Sequence, residues 1–331
     1  MNQQKTLKAG VIGGNWGRVH MAGLRQAGCT IDALVTHDKQ LAMTIAAEEQ
    51  IPKHGDDIVI LKECDLVTIA TPTATHLNFL QQLDNKLIIC EKPLGLTPEN
   101  QTSFDLLRNK QIYISYPFLH LETAKTLAKA IKEGELGSLT RITLVVGVNL
   151  PYPKTPVEWF VEDVVHPFSF LFSLFDDFEF QGVQFGQGNN LSVQFTCQGA
   201  LFDVLLCDWP KPGLHFDLTL VGSKNAYQLA GGFRPERGWW FNPLLSDDLP
   251  VTQGEPTSDN PWMKANYEVM CQIVSGINKL QNREIIEHKG LFDLSRAQEM
   301  EKLFLPLWEA VADMQHSRTP DNTASFRWKL K

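Results

Sequence analysis

Over the first hundred-odd residues, short apolar runs alternate with amphipathic stretches, and this beat limits the fold more than any other feature of the chain. Residues 7–12, 31–35, 66–70, 87–90 and 112–115 are short, nearly continuous apolar segments. Residues 18–27, 40–49, 77–83 and 98–109 lie between them with helical character. Strands apolar on both faces, separated by helices, predict a parallel sheet covered on both sides. The pattern then changes. Residues 121–133 form a long amphipathic stretch stopped by Gly134, a usual helix terminator. Residues 140–149, 191–196, 201–208 and 216–221 read as longer strands punctuated by Gly, Pro and Asn. Residues 262–280 and 294–314 read as two closing helices. We expect an α/β domain over residues 1–120. An α+β domain with a largely antiparallel open sheet is expected over 121–331.

The first strand runs into Gly13, Gly14, Asn15, Trp16, Gly17 and Arg18. A glycine turn that opens a helix after the first strand of a βαβ unit lets backbone N–H groups approach a pyrophosphate, as in the doubly wound Rossmann fold. The spacing is not the usual G-x-G-x-x-G, so alone it is equally the mark of a tight turn. Arg18 is placed to meet phosphate or to stand solvated in the first helical turn. The second strand ends in Thr36 and His37, with Asp38 and Lys39 following. An NAD-selective site puts a carboxylate at that strand end to take the ribose hydroxyls. A hydroxyl, an imidazole and a lysine suit a 2′-phosphate, so NADP is the expected cofactor and NAD the alternative.

Composition excludes other classes. With 38 acidic against 30 basic residues the net charge is -8, which opposes a grip on nucleic acid or anionic lipid. The six cysteines form no C-x-x-C and keep no histidine company, so neither a metal site nor a disulfide framework is expected. The opening residues carry no apolar signal region, and the run at residues 168–175 is far below the ~20 residues a membrane helix needs. The expectation is a cytoplasmic protein acting on a small molecule, with no membrane and no nucleic-acid partner.

Two further motifs carry a resemblance. "TIATPTATHLNFL" holds Thr71, Pro72 and His76 as T-P-x-x-x-H after a strand, and "LIICEKPLGLT" ends a later strand in Glu91-Lys92-Pro93. In that order, behind the glycine turn, they resemble the Gfo/Idh/MocA oxidoreductases, which include glucose–fructose oxidoreductase and inositol dehydrogenase. The resemblance implies that Thr71, Pro72 and His76 line the cofactor, with capping of the local helix as the other reading of His76, that Glu91 packs or hydrogen-bonds near the nicotinamide ribose, and that Lys92 faces nicotinamide and substrate. It also implies a homodimer or homotetramer. The family's second-domain signature is a carboxylate four residues before a histidine; here "EWFVEDVVHPFS" supplies Glu162 and His166, with Asp163 as a second candidate carboxylate. By this resemblance His166 is expected to shuttle a proton near neutral pH, oriented by Glu162 or Asp163. Pro167 disfavours helical geometry at His166, so a kink or restart is expected there.

Several features depart from the family. The glycine turn is one residue shorter, with an aromatic at Trp16, and is similar to that of the thiazolinyl imide reductases. Ser169 replaces the signature's final Asp, its glycines are absent, and "YISYPFLH" lacks the usual basic residue. The leading expectation is an NADP(H)-preferring oxidoreductase interconverting hydroxyl and carbonyl on a small polar, sugar-like molecule, with Lys92 and His166 handling the proton. The alternatives are an imine reductase and a non-catalytic NAD(P)-sensing regulator.

Overall fold

The computed structural model describes residues 6–252, 260–281 and 291–316. The chain divides into two compact units. The first holds the residues up to His120 together with Met263–Glu299; the second holds Leu121–Trp262 and the residues from Met300 onward.

In the first unit, β1 (Lys8–Ile12), β2 (Thr30–Val35), β3 (Lys53–Gly55), β4 (Leu66–Ile69), β5 (Leu87–Glu91) and β6 (Gln111–Ser115) run parallel. They alternate with α1 (Gly17–Gln26), α2 (Lys39–Glu49), α3 (His76–Gln82) and the short α4 (Gln101–Asp105). The strand order is β3-β2-β1-β4-β5-β6, so the winding reverses between β1 and β4. In such sheets ligands bind beyond the carboxyl ends of the strands at that reversal. Every residue of β4 and β5 is buried, which is why these strands read as unbroken apolar runs. α4 is shorter than the 98–109 stretch suggested. The Asn100 side chain accepts from the Thr97 N–H and donates to the Gly95 carbonyl, closing a local turn that competes with helix.

The second unit opens with α5 (Glu122–Lys132) and β7 (Leu139–Asn149), then α6 (Pro156–Trp159), a π-helical turn at Phe160–Val164 and α7 (Val165–Leu174). Strands β8 (Phe178–Phe185), β9 (Leu191–Cys197), β10 (Ala200–Asp208), β11 (Gly213–Gly222), β12 (Ala226–Arg234), β13 (Gly238–Phe241), β14 (Leu245–Ser246) and β15 (Leu249–Pro250) follow. The sheet runs β15-β14-β12-β11-β7-β10-β9-β8, with β13 also on β12. It is antiparallel except where β10 lies parallel to β7. Burial alternates along β9, β10 and β11, the signature of a sheet packed on one face only. Phe168 of α7 fills the packed face, its ring 5.3 Å from Phe195, 5.5 Å from Phe202 and 4.9 Å from Phe304. The opposite face leaves Leu201 and Leu205 38% and 40% exposed.

Two expectations on the closing residues are corrected. Residues 121–331 do not form one unit, because α8 (Pro261–Gln281) carries the chain back to the first. Val269, Met270, Ile273 and Val274 join the core made by Met21 and Leu24 of α1 and by Val11, Leu34 and Ile89 of the sheet. Gly23 makes the approach possible: a Cβ there would lie 2.9 Å from the Met270 Cγ and 3.1 Å from the Tyr267 Cα. β16 (Phe292–Asp293) then adds antiparallel to β6. The 294–314 helix is two helices, α9 (Leu294–Lys302) and α10 (Leu305–His316). Pro306 has no N–H to bond back to Lys302, so the first helix stops and Pro306 sits in the first turn of the next. Among the described residues no helix is long and apolar enough to cross a membrane.

The return of α8 is testable. Met270→Ala should cost about 2–5 kcal/mol, as buried methionine truncations do, read from urea denaturation. A change within experimental error would remove α8 from the first unit's core.

Candidate active site

The glycine turn is built by close packing. Gly13 adopts φ +117°, its N–H donates to the Val35 carbonyl at 2.8 Å, and a Cβ would fall 2.2 Å from the Ala70 carbonyl oxygen. A Cβ on Gly14 would meet the Ile45 Cδ1 at 2.9 Å, and one on Gly17 the Val11 Cγ1 at 3.0 Å. The turn is therefore wedged between the ends of β2 and β4, and only glycine fits at Gly13. Asn15 is exposed and Trp16 half-buried at the N-cap of α1, whose positive end opens beside them. This cradle fits a dinucleotide diphosphate.

Arg18 has other company than a phosphate. It pairs with Glu48 and with Glu49 at 3.1 Å, while Arg25 reaches Glu49 at 2.5 Å, joining α1 to the end of α2. The hydrogen bond to Glu48 holds the guanidinium above its ordinary pKa, and Arg25 pulls Glu49 below the usual carboxylate range. At the end of β2, Thr36 is buried and its hydroxyl donates to the Asp38 carbonyl at 2.6 Å, so it turns the chain rather than facing a ligand. Asp38 caps α2 by accepting from the Leu41 N–H at 2.9 Å, and the backbone N–H groups of Leu41 and Gln40 lower its pKa. His37 and Lys39 are exposed.

The two motifs meet at the ends of β4 and β5. Thr71 is half-buried, its hydroxyl 2.7 Å from that of Thr75, and Pro72 is exposed. His76, expected to line the cofactor, is instead fully buried: Nδ1 lies 2.9 Å from the Pro93 carbonyl and Nε2 2.9 Å from the Thr71 carbonyl. Glu91 also turns inward. It is 8% exposed and meets Nε2 of His20 at 2.7 Å, while Nδ1 of His20 is hydrogen-bonded to the Thr68 hydroxyl. Lys92 stands half-buried between them, joined to Pro93 by a cis peptide bond. Sequence reasoning missed His20. The signal was there: Gly17, His20, Met21 and Leu24 form the buried face of α1, and a histidine in that row needs a polar partner inside.

In the second unit, the helix does restart near Pro167. The wide π-turn ends at Val164 and α7 begins at Val165, loosening the turn against which the proline ring would clash. His166 is 4% exposed, its ring edge-on to Trp262 at 4.8 Å and to Phe216 at 6.3 Å. Glu162 pairs with Lys154, whose ammonium also lies 4.6 Å from the Trp159 ring centre. Glu162, the carboxylate expected to orient His166, therefore also serves a lysine, and it lies in the π-turn that precedes α7. Asp163 is buried like His166. Ser169 donates to the His166 carbonyl at 2.7 Å, a helix-internal bond.

Residues 7–116 match the model of the "Oxidoreductase family, NAD-binding Rossmann fold", the Gfo/Idh/MocA family. No curated protein matches the chain by sequence. Solved structures share the fold across both units. An oxidoreductase from Agrobacterium radiobacter, in complex with NAD+, L-tartaric acid and magnesium, aligns at TM-score 0.71 and 13% identity over 94% of this chain and 97% of that one. A levoglucosan dehydrogenase with NADH and levoglucosan aligns at 0.70 and 14%, over 93% and 98%. The scyllo-inositol dehydrogenase of Lactobacillus casei, with NAD(H) and scyllo-inositol, aligns at 0.67 and 15%, over 92% and 97%. Gly13→Ala should weaken dinucleotide binding about ten-fold or more, since backbone strain and collision with the Ala70 carbonyl must displace the turn; calorimetric titration with NADH and NADPH reads the effect, and unchanged affinity would move the site elsewhere. Over residues 7–116 the chain is thus similar to the NAD-binding Rossmann domain of the Gfo/Idh/MocA oxidoreductases.

Proposed function

We propose that the chain moves a hydride between a nicotinamide dinucleotide and a hydroxyl or carbonyl carbon of a small polyol- or sugar-like molecule. The observation that carries this reading is the alignment of three neighbouring strand ends. The glycine turn follows β1, T-P-x-x-x-H follows β4, and E-K-P ends β5, side by side where the winding reverses. The bound nicotinamide supplies the hydride acceptor or donor. Lys92 supplies the proton chemistry: its amine takes the hydroxyl proton as the carbon loses hydride, and its ammonium returns that proton in reduction. His166 is the second group we assign to this proton.

We assign NADP(H) as the preferred cofactor. Asp38 spends its carboxylate on the N-terminus of α2, while His37 and Lys39 are exposed at the end of β2. The Lys39 ammonium and the His37 N–H suit a 2′-phosphate, whereas the carboxylate would repel it. The similar solved structures hold NAD+, NADH or NAD(H), so the assignment has a direct test. Lys39→Ala should weaken NADPH about ten-fold, the worth of a charge-assisted hydrogen bond, and leave NADH unchanged. Tighter binding of NADH by the unaltered protein would reverse the assignment.

Lys92→Met should lower turnover by about 10²–10⁴, the usual contribution of a positioned acid or base, with cofactor affinity within a few-fold. Nicotinamide absorbance with polyols, sugars and cyclic imines is the measurement. Turnover of imines alone selects the imine reductase reading. Cofactor binding without turnover on any of them selects the regulatory one. The homodimer or homotetramer implied by the resemblance is assigned to the open sheet face around Leu201 and Leu205. Leu205→Lys should shift the mass in light scattering to that of one chain.

A further inference from the structure

Lys92 is flanked by two residues that are each held by a buried imidazole, and the two imidazoles come from different helices. On one side, Glu91 keeps its carboxylate inside the protein, 2.7 Å from Nε2 of His20. On the other, the carbonyl of Pro93 lies 2.9 Å from Nδ1 of His76. Both histidines are fully buried. We propose that His20 and His76 are positioning residues that fix the backbone on either side of Lys92 and so aim its amine. The inference rests on the reading of Lys92 as the residue that meets cofactor and substrate.

The hydrogen-bond inventory supports a clamp. A carboxylate and a backbone carbonyl only accept, so a hydrogen bond to either neighbour of Lys92 is donated by the histidine. His20 meets Glu91 at Nε2 and the Thr68 hydroxyl at Nδ1, so both ring nitrogens are used. Glutamate, imidazole and threonine are also the residue types of a hydrolytic triad. Thr68 is fully buried in a strand paired on both sides, where no substrate reaches its hydroxyl. The trio therefore holds Glu91 in place and attacks nothing.

His76 has an acceptor at both nitrogens, because the Thr71 carbonyl also lies 2.9 Å from Nε2. An N–H on either ring nitrogen finds a backbone carbonyl, so the side chain spans the two motifs in either tautomer. This explains the spacing of T-P-x-x-x-H: the histidine at the start of α3 reaches back to the threonine carbonyl and across to the proline of E-K-P. His20 sits in the first turns of α1, three residues beyond Gly17. Through it, the helix that opens at the phosphate turn is tied to the strand end that presents Lys92.

The demand for such a clamp is quantitative. A lysine side chain is long and rich in rotamers, and a displacement of about 1 Å at a reacting group costs about 10²-fold in rate. With Glu91 and Pro93 both anchored, the amine swings from a fixed root.

The test reads Lys92 directly and needs no substrate. Acetic anhydride labelling of the full chain, with and without NADP, is followed at Lys92 by peptide mass spectrometry, with Lys53 as internal control. In the unaltered protein NADP should slow labelling of Lys92 and leave Lys53 unchanged. His20→Leu and His76→Leu should raise labelling of Lys92 in the NADP complex about ten-fold, in keeping with a displaced amine, with NADP affinity within a few-fold. His20→Gln, which keeps an N–H near the Nε2 position, should restore most of the protection. The double variant His20→Leu/Glu91→Leu separates positioning from packing. Replacing a buried polar pair with apolar side chains recovers stability, so its melting temperature should return while Lys92 stays labelled; recovery of protection as well would reduce His20 to a structural role. If His20→Leu does not fold, Thr68→Val and His20→Gln decide by the same readout. Protection by NADP in the unaltered protein with no change in any variant overturns the clamp alone. No protection in the unaltered protein overturns the reading of Lys92, and the clamp with it.

Discussion

The first unit depends on how closely three strand ends are packed. The carbonyl of Ala70, just past β4, occupies the space where a side chain on Gly13 would lie. The turn after β1 can therefore lie against β4 only without a Cβ. On the other side of β4, the end of β5 is drawn in by buried hydrogen bonds. His20 reaches over from α1 to Glu91, and the Thr68 side chain holds the far nitrogen of the ring. An unpaired buried carboxylate would be far costlier than these paired ones, so the strand end cannot shift without breaking the set. The glycine turn, Thr71 and Lys92 are brought to one rim by steric exclusion and internal hydrogen bonds.

The second unit uses a different device. Its sheet is apolar on one face, and a cluster of phenylalanines on α7, β8, β9 and β10 with Phe304 fills that side. Phe168–Phe175 is apolar apart from Ser169 and Ser173 because it packs on this core, and the π-turn before it lets a helix carry Pro167 near its start. His166 is part of the same aromatic packing. Its ring orientation is fixed by Trp262 and Phe216, two rings distant in sequence.

Much of the site was legible, and the reasons are local. Gly13, Gly14 and Gly17 are steric requirements, so they mark the turn wherever it occurs. The E-K-P and T-P-x-x-x-H motifs sit at strand ends because their residues serve the backbone there. The roles were less legible than the places. His76 and Thr36, read as lining a ligand, point inward to hydrogen-bond partners, and Glu91, read as packing or hydrogen-bonding, finds its partner in His20. Arg18 and Glu162 were read by their neighbours in sequence, and each also pairs with a charge elsewhere: Glu48 and Glu49 for the first, Lys154 for the second. A long charged side chain reaches several ångströms in any direction, so its partner is a property of the fold.

The sequence by itself determined the alternation of strand and helix, the winding of a parallel sheet, the position of its glycine turn and the change of architecture after residue 120. These follow from apolar periodicity and from the backbone freedom of particular residues, which act over a few positions. Only the tertiary structure decided that α8 returns to the first unit, that His20 reaches Glu91 across 71 positions, and that the two histidines meet the chain on either side of Lys92. Those outcomes depend on which buried surfaces and donors find each other once the chain has closed on itself, and no local pattern encodes that choice.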